Sequence, residues 1–326
     1  MHAKQGNWDA ARTQFAVLIH ETCPSNFSLE IGKLALAEKQ SDLAIESLTE
    51  ASRRKEIDSL AALNLLFTHF RRQNNEREML RCVREMAELE RGRPELWWKL
   101  LEMLDTRRFD LEFLSALRQA LQNELPERDK TEMRHRLVAR LVEQGDTEQA
   151  RHELVTIVDR EGRTPRIKLH EAAIERLEGH SSEALKLLTA ALAEAGEHPG
   201  AVRLRGLIHF DLGMDREAAE EFEKGIEHDP FDLSAHFKLS EAYRRLGQFD
   251  LAQKHEAIAQ EIRDKRQQIN KLRAAVAHTP SDKRLYQQLA ELHRELNDPR
   301  GAAHWEEQAQ DIGDSRPNAT ETRAAW

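Results

Sequence analysis

The chain has 326 residues, of which 40% are apolar and 33% are charged, and its formal net charge at pH 7 is −9. This negative balance argues against nucleic-acid binding, because that affinity comes from neutralising phosphates with Lys and Arg. No apolar run approaches the roughly 18 residues that cross a bilayer, so we predict no membrane insertion.

The first 24 residues predict only half of a helical hairpin. Residues 6–11 open inside a turn and run directly into an amphipathic helix, so the helix that should precede it is missing. This leaves open whether Met1 is the native start. No apolar core of a secretory signal precedes Ala10. The two cysteines, Cys23 and Cys82, lie far apart, and we expect a reducing compartment, the cytoplasm, by default.

One small or apolar position then recurs at steps close to 34 residues along the chain. Each of these residues lies in an apolar stripe with three- and four-residue spacing, which is typical of an amphipathic helix. The series is Ala11, Ala44, Met79, Phe113, Ala150, Ala184, Ala218, Ala252 and Ala302. A second stripe precedes each whole unit, so we predict helical hairpins that start near residues 25, 60, 94, 131, 165, 199 and 233.

The clearest unit is 199–230, where both halves carry one apolar stripe and therefore form two antiparallel helices. Gly213 lies between the stripes, where a left-handed residue can end a helix, and Pro230 closes the second helix. Gly206 and Ala218 lie where the two backbones should come closest. A bulky side chain at either position would overpack the contact at a cost of about 1–3 kcal/mol.

These residues resemble the tetratricopeptide repeat, whose pattern is W-x2-L-G-x2-Y, then A-x3-F, then A and P. The matching positions of the 199–230 unit are Gly206, Ala218, Phe222 and Pro230, and the departing ones are Val202, Arg205, His209 and Gly225. The resemblance implies an all-α fold. Its architecture would be an α-solenoid of antiparallel helix pairs wound into a right-handed superhelix.

The chain departs from the period near its C-terminus. Residues 250–278 contain neither Pro nor Gly, and their apolar positions continue one face, so we predict a single long helix. A break near Asp264 is the alternative. The predicted organisation is a repeat array over 1–264, an offset helical cap over 265–312 and a disordered tail over 313–326.

The resemblance also implies where a partner would bind, because the first helices of such repeats line the concave surface. The candidate positions on those helices are Trp98, Glu102, His135, Arg176, Arg203, Phe210, Phe237, Glu241, Arg244, Arg245 and Arg294. Aromatic side chains beside arginines suit an acidic or apolar peptide. The alternative is that Phe210 and Phe237 pack between adjacent units while the arginines pair with glutamates.

These observations predict a non-enzymatic scaffold that binds an extended peptide or a partner helix. The alternative is a substrate-presenting or regulatory region of a larger enzyme or assembly complex, with its catalytic part outside this chain. No two histidines are three or four residues apart, so we predict no helical metal pair and no cofactor. Chaperone-binding members of the resembling family grip a C-terminal carboxylate with Lys and Asn on consecutive first helices. None of the corresponding asparagine positions holds Asn here, so we predict no co-chaperone activity of that type. These positions are Glu30, Leu65, Lys99, Arg136, His170, Leu204 and Lys238.

Overall fold

The computed structural model describes residues 25–54, 58–73, 75–105, 110–196 and 199–314, together with Ala10 and Thr13. The predicted half repeat at 1–24 lies outside these ranges, apart from those two residues. The predicted disordered tail also lies outside them from residue 315 onward.

Sixteen α-helices make up most of the described residues, and no strand occurs among these residues. The helices are α1 Ser25–Ala37, α2 Ser41–Arg53, α3 Ser59–Arg72, α4 Glu76–Leu89, α5 Pro94–Leu104, α6 Asp110–Leu121, α7 Glu127–Gln144, α8 Thr147–Glu161, α9 Pro165–Leu177, α10 Ser181–Ala195, α11 Pro199–Asp211, α12 Asp215–His228, α13 Leu233–Arg245, α14 Phe249–His278, α15 Lys283–Glu295 and α16 Pro299–Asp314. The predicted all-α class is confirmed. None of the described helices is both long and apolar enough to cross a membrane.

Local sequence signals set the helix ends. The Asp232 side chain accepts the backbone N–H of Ala235 and so caps the start of α13, where a helix leaves its first donors unpaired. Gly213 and Gly247 follow α11 and α13 with φ values of 72° and 74°. Residues with a Cβ rarely adopt this conformation, and the turn role predicted for Gly213 is therefore confirmed.

Internal contacts group the chain into two compact units, 1–130 and 131–326. In the first unit, α1 packs on α2, α3 on α4 and α5 on α6, and each pair contacts the next pair along the chain. Large side chains fill the core between these helices. The most completely buried ones include Leu48, Leu63, Leu66, Met86 and Trp97.

Cys82 on α4 lies fully inside this core as a free thiol. Burial raises its pKa to about 11, and a thiol in that state reacts poorly because the thiolate is the nucleophile. In a Cys23→Ser variant, which leaves Cys82 as the sole cysteine, we expect no labelling by an aromatic disulfide reagent in the native state and complete labelling in urea. Rapid native labelling would show that α4 is not packed as described.

The second unit repeats the same arrangement, with α9 on α10, α11 on α12, α13 on α14 and α15 on α16. The helices α11 and α12 come close at Gly206, where an added Cβ would lie 2.8 Å from Phe222 Cε1. Ala218 on α12 is fully buried. Both findings agree with the close approach that the sequence predicts for this hairpin.

Helix α14 is continuous over 30 residues, Phe249–His278, which corresponds to a length of about 45 Å at 1.5 Å per residue. The predicted single helix is therefore confirmed, and the alternative of a break near Asp264 is wrong. Its first half contributes Ala252 to the core around Phe222. Its second half contributes Ile269 and Val276 to a separate core with α15 and α16.

Side chains also connect positions that are one repeat apart. Arg166 on α9 donates to Glu132 on α7 at 2.5 Å, across 34 residues of sequence. Arg176 on α9 donates to Asp211 on α11 at 2.9 Å, across 35 residues. These contacts are made by neighbouring first helices, as expected for units that repeat every 34 residues.

Candidate partner-binding site

The best candidate site lies on α11 and α13, the first helices of two neighbouring hairpins. Lys238 is at its centre, because its Nζ lies 4.6 Å from the ring centroid of Phe210 and 5.9 Å from that of Phe237. The same Nζ lies 3.0 Å from Glu241 Oε2. A cation is attracted to the face of an aromatic ring by the ring quadrupole. Lys238 on α13 therefore lies against the ring of Phe210 from the preceding hairpin.

Arg245 makes a second cationic contact with Phe210. Its guanidinium carbon lies 3.7 Å from the ring centroid. One Nη lies 3.4 Å from the Phe210 carbonyl oxygen and 3.4 Å from Asp215 Oδ1. The guanidinium thus contacts a ring and a carbonyl of α11 and a carboxylate at the start of α12.

The outer part of the site is open to solvent. Phe237 is 49% exposed, Arg203 on α11 is exposed, and Arg244 is exposed while paired with Glu256 at 2.8 Å. We call this site the first-helix surface. Its residues are Arg203, Phe210, Phe237, Lys238, Glu241, Arg244 and Arg245.

Two predicted site residues are not exposed. Phe210 is 6% exposed and His135 is 2% exposed, so the expectation that both face solvent is wrong. Phe210 belongs to the core cluster of this hairpin pair, as the packing alternative proposed. His135 is covered by His170 and Glu161, whose polar atoms lie 3.1 Å and 3.2 Å from its ring nitrogens.

The remaining candidates lie on other helices. Trp98 on α5 is half-buried, and its Nε1 donates to Asp129 Oδ1 at 2.6 Å. Glu102 on the same helix is exposed. Arg176 pairs with Asp211 at 2.9 Å. Arg294 on α15 is exposed and pairs with Glu306. The structure thus brings Phe210, Phe237, Glu241 and Arg245 together with Lys238. Arg203 and Arg244 are exposed on the same two helices, whereas Trp98, Glu102, Arg176 and Arg294 lie on other helices.

Sequence reasoning missed Lys238 as a site residue. The spacing places it next to Phe237 on α13, but its contact with Phe210 becomes visible only when α11 and α13 lie side by side. Phe210 and Lys238 are 28 residues apart and lie on different helices, so the three- and four-residue spacing within a helix does not relate them. An aromatic residue near the end of one first helix and a lysine in the middle of the next would have been the available signal.

Three side chains of the kind that bind metals also cluster among the described residues, at Glu175, Glu178 and His180. Arg151 lies among them, with one Nη at 2.6 Å from Glu175 Oε1 and at 2.6 Å from Glu178 Oε2. These hydrogen bonds to the guanidinium lower the pKa of both glutamates. A metal ion would have to displace Arg151, so this cluster is best explained as a network of ion pairs between neighbouring hairpins.

The stacked hairpins place the chain in the class of α-helical repeat proteins. Residues 215–266, from α12 into α14, match the family model for the tetratricopeptide repeat. The resemblance to the tetratricopeptide repeat that the sequence predicts is therefore confirmed over these residues.

Solved structures with a similar fold include a tetratricopeptide repeat protein from Parabacteroides merdae ATCC 43184. It is 15% identical, the alignment covers 73% of this chain and 93% of that chain, and the TM-score is 0.52. MamA from residue 41 to its end, from Desulfovibrio magneticus RS-1, is 19% identical with a TM-score of 0.37. That alignment covers 52% of this chain and 95% of that chain. No curated protein gives a significant match.

Proposed function

We propose that the protein is a non-enzymatic scaffold whose first-helix surface binds a segment of a partner protein, either as an extended peptide or as a helix. The observation that carries this proposal is Phe237. It is half exposed on a helix that otherwise packs its apolar residues inward. An exposed aromatic side chain beside fixed cations is the kind of anchor that supplies much of the binding energy in protein interfaces.

The charges around Phe237 favour an acidic partner segment. Three cations, Arg203, Lys238 and Arg244, lie there against two carboxylates, those of Glu241 and Glu256. The local charge is thus positive, although the chain as a whole carries a charge of −9. A ligand carboxylate could replace Glu256 beside Arg244 at small cost, because exposed ion pairs contribute only about 0–1 kcal/mol. Bidentate arginine–carboxylate pairing would then orient the ligand.

The buried candidates have a supporting role in this proposal. Phe210 holds Lys238 and Arg245 in place from below, while His135 stabilises its own hairpins. Arg176 and Arg294 remain part of the proposal as contacts for longer ligands in the second unit, and Trp98 remains a separate candidate in the first unit. We also propose a cytoplasmic location, which is supported by the free thiol of Cys82.

A phage-displayed library of random linear peptides, selected on the immobilised protein, tests the proposal. We expect the enriched peptides to combine Asp or Glu with an aromatic residue. Phe237→Ala should weaken their binding by about tenfold or more, as expected for an anchor worth at least about 1.4 kcal/mol. The double variant Arg203→Glu with Arg244→Glu should abolish it.

Phe249→Ala is the matched control, because Phe249 is even more exposed, at 67%, but begins a second helix, α14. This variant should bind the enriched peptides as the wild type does. Equal binding by Phe237→Ala and Phe249→Ala would place the site elsewhere. Failure to enrich any peptide would contradict recognition of linear segments.

A further inference from the structure

Two pairs of histidines join helices in the second unit, and neither pair belongs to the first-helix surface. His135, His236 and His255 are buried, and His170 is half-buried. We propose that these pairs, His135 with His170 and His236 with His255, are an acid-sensitive device. On acidification they loosen the packing of α7 on α9 and of α13 on α14. This inference concerns the protein alone and does not rest on the proposed function.

The first pair has room for one hydrogen between its rings. His135 Nδ1 lies 3.1 Å from His170 Nε2, and the other ring nitrogen of His135 lies 3.2 Å from Glu161 Oε2. Because a carboxylate only accepts, His135 Nε2 carries a hydrogen and donates to Glu161. One added proton can be accommodated if His135 Nδ1 then donates to His170. A second proton would place two donors face to face, and the rings would have to separate.

The second pair follows the same logic. His236 Nδ1 lies 3.0 Å from His255 Nδ1, and His236 Nε2 lies 3.0 Å from the Pro230 carbonyl oxygen. The carbonyl only accepts, so His236 Nε2 carries a hydrogen and the contact between the rings again holds one hydrogen at most. His236 and His255 are both buried, so water cannot take the place of the missing acceptor.

The charged groups around each pair do not offset a second proton. Glu161 and Glu132 attract a charge on the first pair, while Arg166 repels it, and burial outweighs them and lowers the pKa of His135. Burial, His135 and Arg166 also lower the pKa of His170, to about 4.

Around the second pair, Lys254 repels a charge and Glu223 attracts it. The attraction of Glu223 is shared with Tyr243, whose hydroxyl donates to that carboxylate. Tyr243 also stacks on the His255 ring with centroids 5.7 Å apart. Burial is the largest effect and lowers the pKa of His255.

The pH dependence follows from counting protons. The unfolded chain binds a proton on each histidine as the pH falls through about 6.5, whereas each folded pair accepts at most one. Folding stability is therefore full above about pH 6.5 and is lost as the pH falls toward about 4, where folded His170 is protonated. For His170 alone, the folding constant should drop about 30-fold between about pH 7.5 and about pH 5.

Urea unfolding of the full chain across this pH range tests the proposal. The folding constant of the wild type should fall steeply on acidification. In the variant His170→Gln with His255→Gln, the fold-decrease of the folding constant should be at least about tenfold smaller than in the wild type. Glutamine is neutral at every pH used and keeps a hydrogen-bonding group at each position. The matched control replaces the exposed residues His152 and His228 by Gln, and it should follow the wild type.

Two further measurements keep the proposal testable if the paired variant folds poorly. In wild-type NMR titrations, His135, His170 and His255 should gain their protons at lower pH than a histidine of the unfolded chain does. Protection factors for hydrogen exchange, which correct for the slower intrinsic exchange at low pH, should fall on acidification in α7, α9, α13 and α14 before they fall in α15 and α16. Protonation of His135, His170 and His255 at the pH where histidines of the unfolded chain are protonated, or a flat stability profile in wild type, would overturn the proposal.

Discussion

Replacement of Trp97 by Ala is expected to lower the free energy of unfolding of the first unit by about 3–5 kcal/mol. Trp97 on α5 is only 1% exposed and is one of the largest fully buried side chains. Its Nε1 donates to the Arg91 carbonyl oxygen at 3.1 Å. The truncation would leave a large cavity and a carbonyl without its donor. Urea unfolding followed by far-UV circular dichroism measures the loss.

The neighbouring tryptophan provides the control. Trp98 is half-buried and donates to Asp129, so Trp98→Phe should cost about 0.5–1.5 kcal/mol through loss of one hydrogen bond. Trp97→Phe keeps most of the ring and should fall between the two variants, which preserves the comparison if Trp97→Ala does not fold. Equal losses for Trp97→Phe and Trp98→Phe would argue against the burial of Trp97 described above.

Replacement of Gly206 by Val is expected to destabilise the second unit by about 1–3 kcal/mol. An added Cβ would lie 2.8 Å from Phe222 Cε1, 3.0 Å from Phe222 Cδ1 and 3.3 Å from Glu221 Cβ. The Phe222 ring cannot swing aside because it is buried in the core of the hairpin. The helices must therefore move apart. Thermal or urea unfolding of the variant would measure the effect.

Gly225 on α12 is the matched control, since it is also a helical glycine of the same hairpin but has nothing within 4 Å of an added Cβ. There Gly225→Val should be close to neutral, because Val and Gly differ in helix propensity by only a few tenths of a kcal/mol. If Gly206→Val were equally neutral, α11 and α12 could not approach each other as described.

The features that the sequence predicted correctly depend on nearby residues. The turn at Gly213, the closeness at Gly206 and the continuity of α14 follow from glycine positions or from an uninterrupted apolar face. Each signal lies within one hairpin or one helix. The period then orders the hairpins along the chain without any knowledge of distant contacts.

The features that were missed depend on which faces of neighbouring hairpins oppose each other. His135 occupies a position equivalent to exposed Phe237 in the 34-residue register, yet His170 and Glu161 cover it. Likewise, Lys238 and Phe210 come together only after α11 and α13 are placed side by side. A small rotation of one helix decides such contacts, and the spacing of apolar residues does not specify it to that degree.

The continuity of helix α14 limits the insertions that this helix can accept. The helix contributes Ala252 to one core and Ile269 and Val276 to another. Because it is continuous, it fixes the rotation about its axis between the face that packs in the first core and the face that packs in the second. Inserting one residue between Ile262 and Ile269 would turn the distal face by about 100° and direct Ile269 away from its core. Adding seven residues would shift that face by only about 20°. The helix can therefore change length in steps of two turns without losing either core.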